Sequence, residues 1–404
     1  MRTPPASLAL LFLASPALAQ APALSWAVDS IHSSRLGETR ALYVATPADY
    51  NLTKDRYPVL LLLDADDQPQ FTAAVANVRF LASRNAIPGL IIVGVPNGKD
   101  RTHDMTPPAT GQAAKSFPTA GGADTFASFL LDEVLPAMRA KYRALPTTVL
   151  AGHSFGGLFA VHVAATHPGA FAGIVAMSPS LWWNDSTDVP RYADAIARAA
   201  ARTRLFASSG GLEPPIDITT RRFEAHLDSI KPASLAFGVR HYPEDTHGLT
   251  PEPSLVDGLR YVFAPISLIN PPVMAIANHD SASIVNAYAA TESTYAVGAR
   301  SLGMPEHLPE MQVNNFGYAV LQGFKLPKVA AWVFRRNAAN YPSSPNVYDS
   351  LGDALLAAGD SLQAKTEFRM ARDVAISVGQ KPSLETLKKL ESLEHPVQAG
   401  TRKP

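Results

Sequence analysis

Between about Trp26 and Phe263, apolar residues come in short continuous runs separated by longer stretches of helical periodicity. YPVLLLLDAD (57–66) is the clearest run: five apolar residues follow a proline and lead to a polar end, as in a strand buried on both faces. GLIIVGVPN (89–97), TTVLAG (147–152), AGIVAMS (172–178), TRLFASSGG (203–211) and ASLAFGVRHY (233–242) repeat the pattern. Between them lie the predicted helices DTFASFLLDEVLPAMRAKY (124–142), which opens on a capping aspartate, FGGLFAVHVAATHP (155–168) and ITTRRFEAHLDSI (218–230). Buried runs alternating with helices predict an α/β fold with a mostly parallel central sheet.

After about residue 270 the buried runs stop and the pattern becomes helical throughout. In NVYDSLGDALLAAGDSLQAKTEFRMARDVA (346–375), Tyr348, Leu351, Gly352, Ala364, Phe368 and Ala371 fall on the spacing of a tetratricopeptide repeat, where small residues let paired helices approach closely. FGYAVLQGFKLPKVAAWVFRRNAANYP (316–342) reads as a degenerate copy, with Ala330, Phe334 and Pro342 in register. Two repeats are fewer than the roughly three that stand alone. The small all-α region, 270–394, is therefore expected to pack on the preceding domain, 26–265. It could do so as a lid or dimer contact near the site, or offer its helices to a protein partner or a second copy. Residues 395–404, polar and rich in Lys, Arg, Pro and Gly, are expected to be disordered.

The N-terminus, MRTPPASLALLFLASPALAQAP, has one arginine, an apolar stretch from Ala6 to Ala14, and Ala-Leu-Ala before Gln20. That order predicts a secretory signal, residues 1–19, and a periplasmic or secreted mature chain. The apolar stretch is far short of the ~20 residues that span a bilayer, and no later segment is a candidate membrane anchor. Over 404 residues, 35 Lys and Arg balance 35 Asp and Glu, so no basic field would gather nucleic acid. The absence of cysteine excludes disulfides, thiolate nucleophiles and Cys-ligated zinc.

Candidate chemistry centres on Gly152-His153-Ser154-Phe155-Gly156, a G-x-S-x-G match with a strand leading in and a helix leading out. Such a turn exposes a serine nucleophile on strained backbone that small neighbours permit; the alternative is a tight packing turn with no chemistry. A serine hydroxyl needs a base, and in this arrangement the chain order is serine, acid, histidine. His247, in the polar loop HYPEDTHGL, is the expected base. His241 is second, since it falls within a strand pattern where a satisfied, partly buried histidine is common. His226 sits mid-helix, and His162 and His167 follow the serine too closely to fold back. Glu213, after a strand and its Gly-Gly turn, is the expected acid, with Asp217 as the alternative and a dyad without a third member also open. The backbone N–H groups of Phe155 and Asp66 are the expected oxyanion donors. His241, Glu244, Asp245 and His247 are dense enough to raise a metal site, but no H-E-x-x-H or comparable pattern accompanies them. No metal or cofactor is expected.

With these residues placed, the chain resembles the putative esterase family of α/β-hydrolases, which includes enterochelin esterase and esterase D, with mycolyltransferases more distant. The resemblance spans roughly residues 26–265 and rests on GHSFGGLFA, YPVLLLLDAD, VGVPNGKDRTHDMTPP, GGADTFASFLLDEVLPAMRAKYR and MSPSLWW. It implies an α/β-hydrolase fold, with Ser154 as nucleophile, His247 in EDTHG as base, and Arg101, Asp104, Trp182 and Trp183 lining the mouth of the site. Structural roles for these four, a loop-ordering Arg-Asp pair and core tryptophans, stay open at this stage. The helical tail departs from the siderophore esterases and puts a triscatechol substrate in doubt. Sequence thus points to an exported serine esterase acting on a small-molecule ester. An acyltransferase using the same serine, and a non-catalytic scaffold binding through its tail, are the alternatives.

Overall fold

The structure, a computed structural model, describes residues 24–51, 54–199, 203–230, 235–275 and 280–395. The expected signal segment 1–19 lies outside these residues, as does all of the expected disordered tail beyond His395. Among the described residues no helix is long and apolar enough to cross a membrane.

Eight strands form one sheet in the order β1-β2-β4-β3-β5-β6-β7-β8. They are β1 (Ala27–Ser33), β2 (Glu38–Ala45), β3 (Tyr57–Leu63), β4 (Ile91–Val95), β5 (Ala144–His153), β6 (Gly173–Met177), β7 (Arg204–Gly210) and β8 (Ala236–Tyr242). The strands from β3 onward pair in parallel, whereas β1 pairs antiparallel with β2, and β2 with β4. All six predicted runs are strands. The first two strands were not predicted because they lie at the sheet edge and their residues are largely exposed or half-buried, leaving no continuous apolar run.

Helices cover both faces. In chain order they are α1 (Gln68–Ser83), α2 (Arg101–Met105), α3 (Gly111–Ser116), α4 (Ala123–Ser128), α5 (Leu135–Lys141), α6 (Phe155–Thr166), α7 (Asp188–Arg198), α8 (Pro214–Ile230) and α9 (Pro251–Phe263). The predicted helix 124–142 is α4 and α5 joined by a π-helical turn, Phe129–Val134. Pro136, which has no N–H to give, lies two residues past the end of that turn, in the first turn of α5. α8 starts at Pro214, four residues earlier than predicted, because proline is tolerated in a first turn whose N–H groups lack partners anyway. One core layer gathers Phe126, Phe129, Phe159 and Phe223 against one sheet face; the other gathers Phe71, Val78, Leu259 and Phe263 from α1 and α9 against the opposite face.

The tail is α10 (Ser281–Ser301), α11 (Glu310–Tyr318), α12 (Pro327–Asn340), α13 (Pro345–Ala357), α14 (Ser361–Ser377) and α15 (Leu384–Glu394). Gly317 meets the Phe334 ring and Gly352 the Phe368 ring so closely that a Cβ on either glycine would sit 2.3 Å and 2.5 Å from ring carbons. Tyr288, Tyr295 and Leu302 join the second core layer, so tail and core share apolar packing. The docking edge is the one where the parallel strands begin. Thr147 Oγ1, near the start of β5, donates to the carbonyls of Leu302 (3.1 Å) and Gly303 (2.9 Å), and Gln312 Nε2 donates to Asn85. The tail is therefore not a lid: the strands end, and the serine lies, at the opposite edge.

Candidate active site

At the carboxyl end of β5 the chain turns abruptly into α6. Ser154, at the turn, has φ 61° and ψ −115°, a backbone region that non-glycine residues rarely enter. Glycines make the turn possible: a Cβ at Gly152 would lie 2.3 Å from the Gly156 carbonyl oxygen, and one at Gly157 would lie 2.9 Å from that of Met177. Three backbone bonds hold the strained residue: Ser154 N–H to Met177 O (3.0 Å), Ser180 N–H to Ser154 O (3.1 Å) and Leu158 N–H to Ser154 O (2.9 Å). No side chain caps α6, so its first N–H groups, Phe155 among them, are free to face a ligand. Ser154 Oγ makes its hydrogen bond to Ser180 Oγ (3.3 Å) rather than to His247.

The loop after β7 places Glu213 beneath His247. Glu213 is 6% exposed. Its Oε1 accepts from the Gly210 N–H and the Ser178 hydroxyl, both at 2.5 Å, while Oε2 lies 2.5 Å from His247 Nδ1. Burial pushes the carboxyl up, but His247, the Gly210 amide and the Ser178 hydroxyl together outweigh it and hold Glu213 below the usual carboxylate range. An ionised Glu213 only accepts, so Nδ1 carries the proton it receives and Nε2 is left for a reacting group. Ser178 itself has a positive φ of 42°, and its Oγ lies 2.7 Å from Thr250 Oγ1, which donates to the His247 carbonyl (3.1 Å). The His247 ring centroid is 4.3 Å from that of His153. Burial, with His247 adding, drives His153 down to about 4, so this second imidazole is neutral near pH 7.

The alternative acid and bases form separate groups. Asp217 accepts from Ser209 Oγ (2.6 Å) and Arg221 (2.8 Å) and faces His241 Nδ1 (3.0 Å), whose Nε2 faces Glu224 (2.9 Å). His226 pairs with Asp194 at 2.9 Å, and His162 with Asp124 at 2.7 Å. None of these reaches Ser154.

Arg101 forks onto Asp64 (Nε to Oδ1 2.5 Å, NH2 to Oδ2 2.8 Å) and donates to the His153 carbonyl (3.3 Å), 5.5 Å from the Phe155 ring centroid. Asp66 is exposed, and its carboxylate accepts from both the N–H and the side-chain amide of Asn97, at 3.0 and 2.9 Å. Trp182, half-buried, forms a wall with Phe117 and Phe155, ring centroids 5.5–6.1 Å apart. Two expectations fail. Asp104 does not line the mouth: it is buried and paired with Arg40, so it anchors the loop from below. Trp183 is 1% exposed and belongs to the core under that wall. Sequence reasoning missed Asp64, His153, Ser178, Ser180 and Phe117. The two serines were visible in MSPSLWW as polar residues around a proline at a strand end, but the Asp64–Arg101 pair joins loops with no shared pattern.

A family model described as putative esterase matches residues 33–223. The siderophore triacetylfusarinine C esterase of Aspergillus fumigatus is 33% identical over 160 residues, which cover 37% of this chain and 53% of that protein. The chain thus spans about half the length of that curated relative. Among solved structures, an IroE-like serine hydrolase from Shewanella oneidensis is similar with a TM-score of 0.61 and 25% identity, over 76% of this chain and 98% of its own. A protein from Capnocytophaga ochracea, 16% identical with a TM-score of 0.58, shares the fold over 92% of this chain and 99% of its own. These matches show an α/β-hydrolase-type fold, similar to that of esterases.

Proposed function

We propose that the protein hydrolyses a small-molecule carboxylic ester through an acyl-enzyme on Ser154. The observation that carries this reading is the bond from His247 Nδ1 to the buried Glu213 carboxylate, which leaves Nε2 for chemistry on a ring that lies 4.3 Å from that of His153, the residue before the strained Ser154. Ser154 Oγ rotates from Ser180 to His247 and attacks the ester carbonyl carbon as His247 Nε2 takes the hydroxyl proton. The Phe155 and Asp66 amides stabilise the resulting oxyanion. The tetrahedral intermediate collapses, the C–O bond to the alcohol breaks, and His247 returns its proton to the leaving oxygen. A water molecule, deprotonated by His247, then attacks the acyl carbon and frees both the acid and Ser154. Ionised Glu213 stabilises the imidazolium at each stage. No step calls on the tail, which docks at the far edge of the sheet.

We also propose that the chain is exported, with residues 1–19 removed; N-terminal sequencing of the native protein would begin at Gln20. Mass spectrometry of the intact protein during turnover of a slowly hydrolysed ester tests the mechanism. The expected result is a transient mass gain equal to the acyl group, located on the peptide containing Ser154. Turnover that proceeds unchanged in Ser154→Ala would contradict it.

A further inference from the structure

The site's wall carries one guanidinium, and its charge is already taken. Arg101 lies against the serine turn, bonded to the His153 carbonyl and close to the Phe155 ring, where it could meet a substrate. Its fork is filled by the Asp64 carboxylate. Asn97 Nδ2 is 2.9 Å from both Asp64 and Asp66, which fixes the two acids side by side around one cation. Burial works against the Arg101 charge, and Asp64 and Asp66 outweigh it, raising Arg101 above its ordinary value. An anionic group arriving at Arg101 would meet Asp64 at nearly the same distance, so attraction and repulsion of similar size cancel. A Cβ at Gly156 would sit 3.2 Å from Asp64 Oδ2, so this carboxylate also borders the first turn of α6, where the oxyanion would form.

The other charged groups near the mouth do not change the balance. Glu213 is engaged with His247, and Asp104 with Arg40. Lys99, 3.8 Å from Glu38, and Lys115, at the end of α3, are both exposed, so both act through solvent. What the mouth does offer is apolar surface. Phe117, Phe155 and Trp182 line one side, and Leu212 and Leu249, each 60% exposed, flank the Glu213–His247 pair.

We infer that Asp64 determines specificity: by neutralising Arg101 it makes the site select an uncharged ester with an aromatic or bulky apolar group, against anionic esters of the same size. This names the substrate class of the hydrolase reading and rests on it.

The test compares kcat/KM for para-nitrophenyl butyrate and its ring-carboxylated analogue in wild type, Asp64→Asn and Arg101→Gln. Asparagine tolerates the positive φ of residue 64 (57°) and keeps the side-chain shape while removing the charge. Wild type is expected to favour the neutral ester by about tenfold or more. Asp64→Asn should narrow that ratio by about tenfold, mainly through KM of the charged ester. Arg101→Gln should widen it, so the two variants move the ratio in opposite directions even where either loses some activity overall. A wild-type preference for the carboxylated ester, or a ratio that moves in neither variant, overturns the inference while leaving the hydrolase reading intact. No turnover of either ester, together with no acylation of Ser154, overturns the hydrolase reading and the inference with it.

Discussion

The two edges of this sheet are built for opposite purposes. Where the parallel strands end, the chain holds strained residues and groups with spare bonding capacity: Ser154, Ser178 and Asp64 all have positive φ, and His153 Nε2 is buried without a partner. Where the strands begin, the tail closes over the edge, and Thr147, Asn85 and Tyr295 lock it to the core. The two edges also treat charge in opposite ways. At the serine edge Glu213 is held ionised and His153 neutral. At the docked edge burial pushes Asp55, just before β3, up to about 7, with Glu310 of the tail and Asp49 beside it adding. Backbone strain and incomplete bonding, the features expected of a reactive site, are concentrated at one edge, and packing at the edge that the tail covers.

The comparison can be broken most directly at Ser154. Ser154→Ala should lower kcat by about 10⁶-fold without loss of folding, since it removes one hydroxyl and leaves the backbone bonds of the turn; steady-state kinetics with thermal melting checks both. Glu213→Gln comes next, with kcat expected to fall about 10²–10⁴-fold as the acceptor for His247 Nδ1 loses its charge. At the other edge the effects should reverse. Phe368→Ala empties a fully buried site against Gly352 and should cost about 3–5 kcal/mol in denaturant unfolding of the tail, yet leave kcat/KM within about twofold.

The smallest effect, and the one that sharpens the contrast, is in pH. Folded His153 stays neutral down to about 4 whereas its ordinary value is 6.5, so the unfolded chain binds the extra proton in that window. Its contribution to stability is complete above 6.5 and is lost as pH falls toward 4. Folded Asp55 keeps its proton up to about 7 against an ordinary 3.8, so its contribution is present below 3.8 and is lost as pH rises through 7. Unfolding free energy measured from pH 4 to 8 should therefore lose part of its rise with pH in His153→Phe and gain slope in Asp55→Asn. Parallel changes in the two variants would contradict the contrast.

Much of this arrangement was legible in the sequence, and the exceptions share a cause. The central strands could be read because both their faces are buried, so apolar residues run without interruption; β1 and β2, half-exposed, carry no such signal. Ser154, Glu213 and His247 could be grouped from chain order and from the loops that follow strands. Asp64 and Asp104 could not be placed, because their partners, Arg101 and Arg40, come from distant segments and the nearby Arg101–Asp104 spacing suggested a different pair. The tail's helices follow from periodicity, but periodicity identifies a buried face without identifying the surface that buries it, so the docking edge emerged only from the structure.

The most direct measurement is labelling of the purified protein with a fluorophosphonate, followed by peptide mapping of the modified residue. The account predicts stoichiometric modification at Ser154, abolished or greatly slowed in His247→Ala and in Glu213→Gln slower than in wild type. A folded protein that takes up no label, or takes it up elsewhere, would mean that the GHSFGG turn is a packing device and that this edge of the sheet is not where the chemistry occurs.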